Sequence, residues 1–232
     1  MNNTKEISLS STGIKISYGV TVYNEYKELE RLLKFLIFSI DPIDDIIILS
    51  DNKKVTPKVL QIINMYIKRI RHISYPLNND FGTFKNNFLK FASGDYLFQI
   101  DADEMPNKRL LQQIKRILYL YENIDCIAIP RINYIEEISE NYIQKCNWVI
   151  DEKKRINYPD LQRRLFRINK EIEWKGSVHE TLINFTNQVT LPYADTEDYC
   201  LFHLKTLKKQ REQNKYYNSI SLNNNILHYI DL

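Results

Sequence analysis

Apolar runs of strand length alternate with amphipathic segments of helix length in the first half of the chain, and this alternation strongly constrains the fold. Residues 14–22 alternate apolar and polar side chains, as a half-buried strand does, whereas residues 46–49 are continuously apolar, as in a buried strand. Pro57 can open a helix whose apolar stripe includes Ile63 and Ile67. Further strands are expected at residues 73–75, 96–100 and 126–130, with intervening helices at 83–92 and 106–121.

Such a series predicts an α/β fold with a mostly parallel sheet and helices on both faces. The second half is less regular: residues 131–160 lack a clear period and are expected to form a long, partly structured insertion. Short strands are expected at 165–168 and 174–179, followed by a helix with a basic face at about 203–220. We therefore expect one domain at residues 13–220, divided into halves at 13–130 and 131–220, with tails at 1–12 and 221–232.

Polar clusters follow three of the expected strands, at residues 23–25, 51–52 and 101–104. In parallel α/β sheets, ligands bind in the crevice outside the carboxyl ends of the strands. Three clusters at such ends therefore predict one shared binding crevice. Each cluster also has a simpler interpretation, since Asn, Asp and Glu side chains cap helices and form turns.

Asp101 and Asp103 lie two residues apart at the end of an apolar strand. In an extended chain such residues point to the same side, and two carboxylates in one crevice repel unless a cation lies between them. Hard divalent ions prefer oxygen ligands, which include the oxygens of a diphosphate. The pair therefore suits a metal bound to a diphosphate, whereas the alternative is a polar strand-to-helix turn.

Taken together, the motifs resemble glycosyltransferase family 2, of the GT-A fold. The resemblance covers roughly residues 16–217, and its downstream part is similar to the branch that includes lipopolysaccharide-core glucosyltransferases. The stretches that carry it are VTVYNE at 20–25, IIILSD at 46–51, Phe81-Gly82 with Lys85-Asn86, GDYLFQIDADE at 94–104, YPDLQRRLFR at 158–167 and GSVHE at 176–180. Residues 52–56, NKKVT, depart from the small residues and further Asp usual in the family, which affects the expected base pocket.

The resemblance implies an inverting, metal-dependent transfer of a sugar from a nucleotide-diphosphate donor, with a UDP-sugar the favoured donor and Mn²⁺ or Mg²⁺ as cofactor. Residues 13–130 would then be the nucleotide-sugar-binding half and residues 131–220 the acceptor-side half. Asp101 and Asp103 would hold the metal and the donor. Carried over by position, the donor-binding residues would be Tyr23, Asn24, Glu25, Asp51, Lys85, Asp101, Ala102 and Asp103.

An inverting transfer needs a base for the acceptor hydroxyl proton, and the candidates are Asp160 and Glu180. Asp160 is slightly favoured, with helix capping as its alternative role; for Glu180 the alternative is an ion pair with a nearby arginine. His203 is the candidate third metal ligand and His179 its alternative, although a histidine after a strand is more often structural.

Charge and cysteine content restrict partners and location. The net charge is +3, from 32 basic and 29 acidic residues, so no nucleic-acid partner is expected. Three widely spaced cysteines and a polar N-terminus favour a cytoplasmic protein, with at most peripheral membrane contact through the basic segment near 205–215. The acceptor stays open among saccharide, lipid-linked glycan and protein. Competing classes are a nucleotidyltransferase, disfavoured by the scarcity of glycine, and a non-catalytic nucleotide- or glycan-binding protein on the same fold.

Overall fold

In the computed structural model, which describes residues 13–168 and 171–223, strands and helices alternate through the first half of the chain as predicted. The expected tail at residues 1–12 lies outside the described residues, as do residues 224–232 of the tail expected at 221–232; residues 221–223 belong to the last helix instead. The elements of this half are β1 (Ile16–Val22), α1 (Tyr26–Ser39), β2 (Asp45–Asp51), α2 (Pro57–Tyr66), β3 (Arg71–Tyr75), α3 (Phe81–Asn86), a 3₁₀ turn (Asn87–Lys90), β4 (Tyr96–Asp101), β5 (Glu104–Pro106) and α4 (Lys108–Leu120).

The second half supplies more strands than its sequence pattern suggested. The segment at 131–160 is not a separate insertion, because it contains the end of one long strand and the start of another. From Cys126 onward, the elements are β6 (Cys126–Glu136), α5 (Glu140–Lys145), β7 (Ile156–Arg167), β8 (Glu173–Lys175), β9 (Thr181–Ile183), β10 (Gln188–Thr190), β11 (Leu201–Thr206) and α6 (Leu207–Asn223).

A mixed sheet organises the molecule, with strands in the order β3-β2-β1-β4-β7-β6-β11-β5 and β10 beside β6. The neighbours β3, β2, β1 and β4 are parallel, as are β6, β10 and β11. Strand β7 lies antiparallel between β4 and β6, and β5 lies antiparallel to β11. The predicted mostly parallel α/β sheet is confirmed. Strands β4 and β6 are not neighbours in the sheet, because β7, from the second half of the chain, lies between them.

Two hydrophobic cores cover opposite faces of the sheet, and β2 shows why. Ile46 and Ile48 pack in the core beneath α1, α2 and α4, whereas Ile47 and Leu49 pack in the core that contains Phe84 of α3 and Trp174 of β8. Successive strand residues point to opposite faces, so a continuously apolar strand is covered on both. The helices thus lie on both faces, as predicted.

Three expected boundaries in this fold are corrected by the structure. The helix expected at 83–92 becomes a 3₁₀ turn after Asn86. The strand expected at 174–179 ends at Lys175, because the next residue, Gly176, adopts a φ of 117°. His203 lies in β11, and the helix expected from that residue begins at Leu207. In residues 13–168 and 171–223, no helix combines the length and apolarity required to span a bilayer.

Candidate active site

The residues expected to line the crevice lie at the carboxyl ends of β1, β2 and β4. These strands are adjacent and parallel, and Thr21 of β1 is paired with both Leu49 of β2 and Asp101 of β4. On the other side of β7, the antiparallel pairing of β5 with β11 places His203 opposite Glu104. The sheet therefore brings a histidine from the second half close to the Asp101–Glu104 turn.

Asp101 is held by donors on both carboxylate oxygens. Thr21 Oγ1 and Gln99 Nε2 donate to Oδ1 at 2.5 and 2.8 Å, and Arg164 donates to Oδ2 at 2.7 Å. Lys85 Nζ lies 3.7 Å from Oδ1. Desolvation raises the pKa of Asp101, but the charges of Arg164 and Lys85 outweigh it and hold the pKa well below 3.8. Asp101 is therefore a fixed carboxylate.

Asp103 has a different set of neighbours from Asp101. Its Oδ2 lies 3.3 Å from His203 Nε2 and 4.0 Å from Lys205 Nζ. Desolvation raises the pKa of Asp103, but the hydrogen bond with His203 and the nearby positive charges lower it to about 2. Because β4 ends at Asp101, Asp103 belongs to the following turn, where alternation along an extended chain no longer fixes side-chain direction.

Asp160 and His203 are connected through Asn133. Asn133 Nδ2 donates to Asp160 Oδ2 at 2.8 Å, and Asn133 Oδ1 lies 2.7 Å from His203 Nδ1. The backbone register explains this chain of contacts, since Asn133 of β6 is paired with His203 of β11, and Arg131 of β6 with Asp160 of β7. The structure places Asp160 inside a strand, so its alternative role as a helix cap is wrong.

Glu180 is placed by close contact between the start of α3 and the loop that follows β8. The backbone N–H groups of Phe81 and Gly82 donate to the carbonyl oxygens of Ser177 and Gly176, both at 3.0 Å. A Cβ at Gly82 would lie only 2.8 Å from the Gly176 oxygen, so this approach requires glycine. Lys85, one helical turn after Phe81, consequently reaches Glu180, with Nζ 2.6 Å from Oε1. The expected ion pair of Glu180 exists, but its partner is lysine rather than arginine.

His179 and Tyr217 of α6 lie beside this ion pair. The exposed His179 has a left-handed φ of 53°, and its ring centroid is 5.9 Å from that of Tyr217. Burial raises the pKa of Tyr217, and the negative charges of Asp101, Glu180 and Asp103 add to the rise. Tyr217 is therefore exposed to the negative charge of the carboxylates, a feature that the basic pattern of α6 did not indicate.

The expected nucleoside-binding residues are at the crevice, where they also shape their own loops. Glu25 Oε2 accepts the backbone N–H groups of Tyr23 and Asn24 at 2.9 and 3.0 Å. Burial raises the pKa of Glu25, despite those bonds, and the charge of Asp103 raises it further. The buried Asp51 accepts the N–H of Lys53 at 3.0 Å through Oδ1. Turn formation at these positions is thus present in the structure.

Several members of the buried network beneath the crevice could not be identified from the sequence. Arg164 bridges Asp101 and Glu104, at 2.7 and 2.8 Å, and also donates to Gln99. Arg131 reaches Glu104 at 2.9 Å. In the sequence, Arg164 is only one residue of the motif at 158–167, and Arg131 belongs to a segment with no recognisable period. Cross-strand contacts of this kind leave no local sequence signal.

Asp103 and His203 offer ligand atoms that fit a divalent cation whose remaining ligands come from a substrate. Within the described part of the chain, no group of three or more His, Cys, Asp or Glu side chains is arranged to hold a metal ion. Asp103 and His203 nevertheless offer one oxygen and one nitrogen 3.3 Å apart. Mg²⁺ characteristically uses one or two carboxylates together with substrate phosphates instead of a complete protein cage.

Comparisons with known proteins agree with this architecture. The family model described as "Glycosyl transferase family 2" matches residues 17–176, more than half of the chain. The SPbeta prophage-derived glycosyltransferase SunS of Bacillus subtilis is 27% identical over 191 residues, covering 81% of this chain. The chain spans 39% of the length of that relative. Among solved structures, S. aureus TarS 1–349 matches with a TM-score of 0.57 and 16% identity, covering 94% of this chain and 67% of that chain. TarS 1–349 in complex with UDP gives the same TM-score at 19% identity, covering 90% and 66%.

Proposed function

The chain belongs to glycosyltransferase family 2, and we propose that it transfers a sugar from a nucleotide-diphosphate donor to an acceptor hydroxyl with inversion at the sugar carbon. The observation that carries this proposal is the Asp103–His203 pair at the carboxyl edge of the sheet, next to the fixed carboxylate Asp101. UDP is the first nucleotide to test, because TarS, which has a similar fold, has a structure in complex with UDP.

Binding of the nucleotide-sugar donor is assigned to residues at the ends of β1, β2 and β4 and to nearby lysines. Tyr23, Asn24 and Glu25 after β1 and Asp51 at the end of β2 would surround the nucleoside. Both oxygens of Asp101 already accept hydrogen bonds from the protein. Asp101 would therefore accept at most one further hydrogen bond, for example from a ribose hydroxyl. Residues on the diphosphate side carry positive charge, since Lys85 and Lys205 are both within 4.0 Å of one of the two aspartates.

Asp103 and His203 would hold Mn²⁺ or Mg²⁺ together with the donor's diphosphate. The bound cation supplies positive charge that stabilises the nucleoside diphosphate as it leaves. His203 is preferred to His179 as the ligand because its Nε2 lies 3.3 Å from Asp103, whereas the exposed ring of His179 packs against Tyr217.

Glu180 is our preferred general base for the acceptor hydroxyl. Among the described residues, Lys85 binds Oε1 of Glu180 and no N–H or O–H group donates to Oε2, which leaves that oxygen for substrate. Asp160, slightly favoured from the sequence, instead accepts donors on both oxygens. An inverting displacement needs one correctly placed carboxylate, and such a group contributes about 10²- to 10⁴-fold to the rate. The acceptor is proposed to be a saccharide, lipid-linked glycan or protein.

Calorimetric titration with UDP and GDP, each with and without Mn²⁺, tests the proposal. We expect wild-type protein to bind UDP more tightly when Mn²⁺ is present, and Asp103→Asn to lose that Mn²⁺-dependent increase while remaining folded. Asp198→Asn is the control: Asp198, like Asp103, lies in a turn, but it is exposed and outside the crevice network. Failure of the wild type to bind any nucleotide, or an unchanged Mn²⁺ effect in Asp103→Asn, would contradict the proposed donor site.

A further inference from the structure

We propose that Asp160 is a positioning residue for His203, acting through Asn133, and that it does not take the acceptor proton. This inference rests on the proposed metal-dependent function, since it concerns how the histidine ligand is aimed. It assigns a role to a partly buried hydrogen-bonded chain that connects three neighbouring strands, β7, β6 and β11.

Protein donors bind both oxygens of the Asp160 carboxylate. Oδ2 accepts from Arg131, whose Nε is 2.8 Å away and whose second terminal nitrogen is 2.7 Å away, and from Asn133 Nδ2 at 2.8 Å. Gln162 Nε2 donates to Oδ1 at 2.5 Å. Four protein nitrogens thus contact a carboxylate that has about four acceptor sites, three of them at Oδ2 and one at Oδ1. Desolvation raises the pKa of Asp160, but Arg131 and the hydrogen bonds outweigh it and lower the pKa, which makes this group a weak base.

The acceptor character of Asp160 fixes the orientation of the Asn133 amide. Asn133 must direct its NH₂ group toward the carboxylate, so its Oδ1 faces His203. Because that oxygen can only accept, Nδ1 of His203 carries the hydrogen in this 2.7 Å contact. Nε2 is thereby the nitrogen presented to Asp103, at 3.3 Å.

This arrangement provides a partner behind a metal-ligating histidine. A hydrogen bond to one ring nitrogen sets the tautomer and the ring direction, and loss of such a partner typically lowers metal affinity by about 10- to 100-fold. Asp160 sets the tautomer and ring direction of His203 indirectly, because it determines which end of the Asn133 amide contacts the imidazole.

Two substitutions at Asp160 separate positioning from proton transfer. Asp160→Asn keeps an oxygen for Arg131 and Asn133 but cannot act as a base, whereas Asp160→Ala removes both capacities. A positioning role predicts near-normal Mn²⁺ affinity in Asp160→Asn and a loss of about 10- to 100-fold in Asp160→Ala. A general base would instead lose about 10²-fold or more in rate as the asparagine variant, with Mn²⁺ affinity intact.

The test measures free Mn²⁺ by electron paramagnetic resonance during titration of each variant with saturating UDP. Asn133→Leu provides a second variant, since it leaves the Asp160–Arg131 ion pair in place while breaking the contact with His203. Asp151→Ala is the matched control: Asp151 also pairs with an arginine, Arg155 at 2.6 Å, but has no link to His203. Urea unfolding verifies that each variant is folded.

We expect weaker Mn²⁺ binding in Asp160→Ala and Asn133→Leu, and wild-type-like binding in Asp160→Asn and Asp151→Ala. The Mn²⁺ concentration for half-maximal hydrolysis of UDP-glucose should rise in the first two, with the rate at saturating Mn²⁺ largely retained. If the wild type binds Mn²⁺ and the folded Asn133→Leu variant binds it equally well, the positioning role is overturned. Absence of Mn²⁺ binding in the wild type would overturn the metal-dependent function as well.

Discussion

Replacing Arg164 by Met should destabilise the fold more than any comparable change on β7, because it breaks a buried charge network. Arg164 is 5% exposed. One terminal nitrogen lies 2.7 Å from Asp101 and 2.8 Å from Glu104, and the Glu104 side chain is fully buried. Methionine retains the apolar stem volume but offers no positive charge to either carboxylate.

The expected loss follows from the charges left behind. Removing one member of a buried ion pair costs about 3–5 kcal/mol, mainly because the partner stays buried without compensation. Glu104 would retain Arg131 at 2.9 Å and the backbone N–H of Asp101 at 3.0 Å. Asp101 would retain Thr21 and Gln99. We therefore expect a loss near the lower end, about 3 kcal/mol in the free energy of unfolding.

The adjacent Arg163 provides the control, because its side chain contacts Gln188 and Phe185 and lies outside the buried charge network. Its Nε donates to Gln188 at 2.5 Å and its guanidinium lies 5.4 Å from the Phe185 ring, in an exposed setting. Arg163→Met should cost less than about 1 kcal/mol. Urea unfolding of both variants measures the difference at one pH and salt concentration. Equal destabilisation would refute the buried charge network as a major source of stability.

Changes at Glu180 and in pH test the carboxylates of the crevice. Glu180→Gln should lower the single-turnover rate of UDP-glucose hydrolysis at saturating donor by about 10²-fold or more, with UDP affinity unchanged. Substitution of the exposed Glu173 by Gln is the control. A loss of UDP affinity in Glu180→Gln would contradict the assignment of Glu180 as the base. Because the pKa of Asp103 falls from 3.8 to about 2 on folding, its charge stabilises the fold above about pH 4, by about 2 kcal/mol. This contribution is lost as pH falls through 2, so the stability difference between wild type and Asp103→Asn should shrink on acidification, and a constant difference would contradict the shift.

The part of the site that the sequence predicted is the part built by consecutive parallel strands. Parallel strands end at a common edge, so polar residues after β1, β2 and β4 must meet there once the alternation is recognised. Lys85 was also placed near this edge, although only through the family resemblance. Local periodicity and chain direction carry this information, and neither depends on knowing which distant strands become neighbours.

The residues beneath the crevice could not be predicted in the same way. Arg131 meets Asp160, and Asn133 meets His203, only because β6 pairs with β7 on one side and with β11 on the other. These pairings join segments 29 and 70 residues apart in sequence. The β6–β7 register is also shifted between Arg131 and Asn133, so the simple alternation of side chains along a strand does not predict which residues of β6 and β7 are paired.

The different environments of Asp101 and Asp103 explain why an aspartate pair cannot be interpreted from its spacing alone. Asp101 ends a strand and is bound by Arg164 from β7, so its charge is already matched within the protein. Asp103 lies in the following turn and faces His203 from β11, whose Nε2 can bind either a proton or a metal. A cation beside Asp103 therefore replaces a proton, whereas one beside Asp101 would have to compete with a fixed guanidinium. The antiparallel return of β7 thus makes Asp101 a structural carboxylate and leaves Asp103 as the metal ligand we propose.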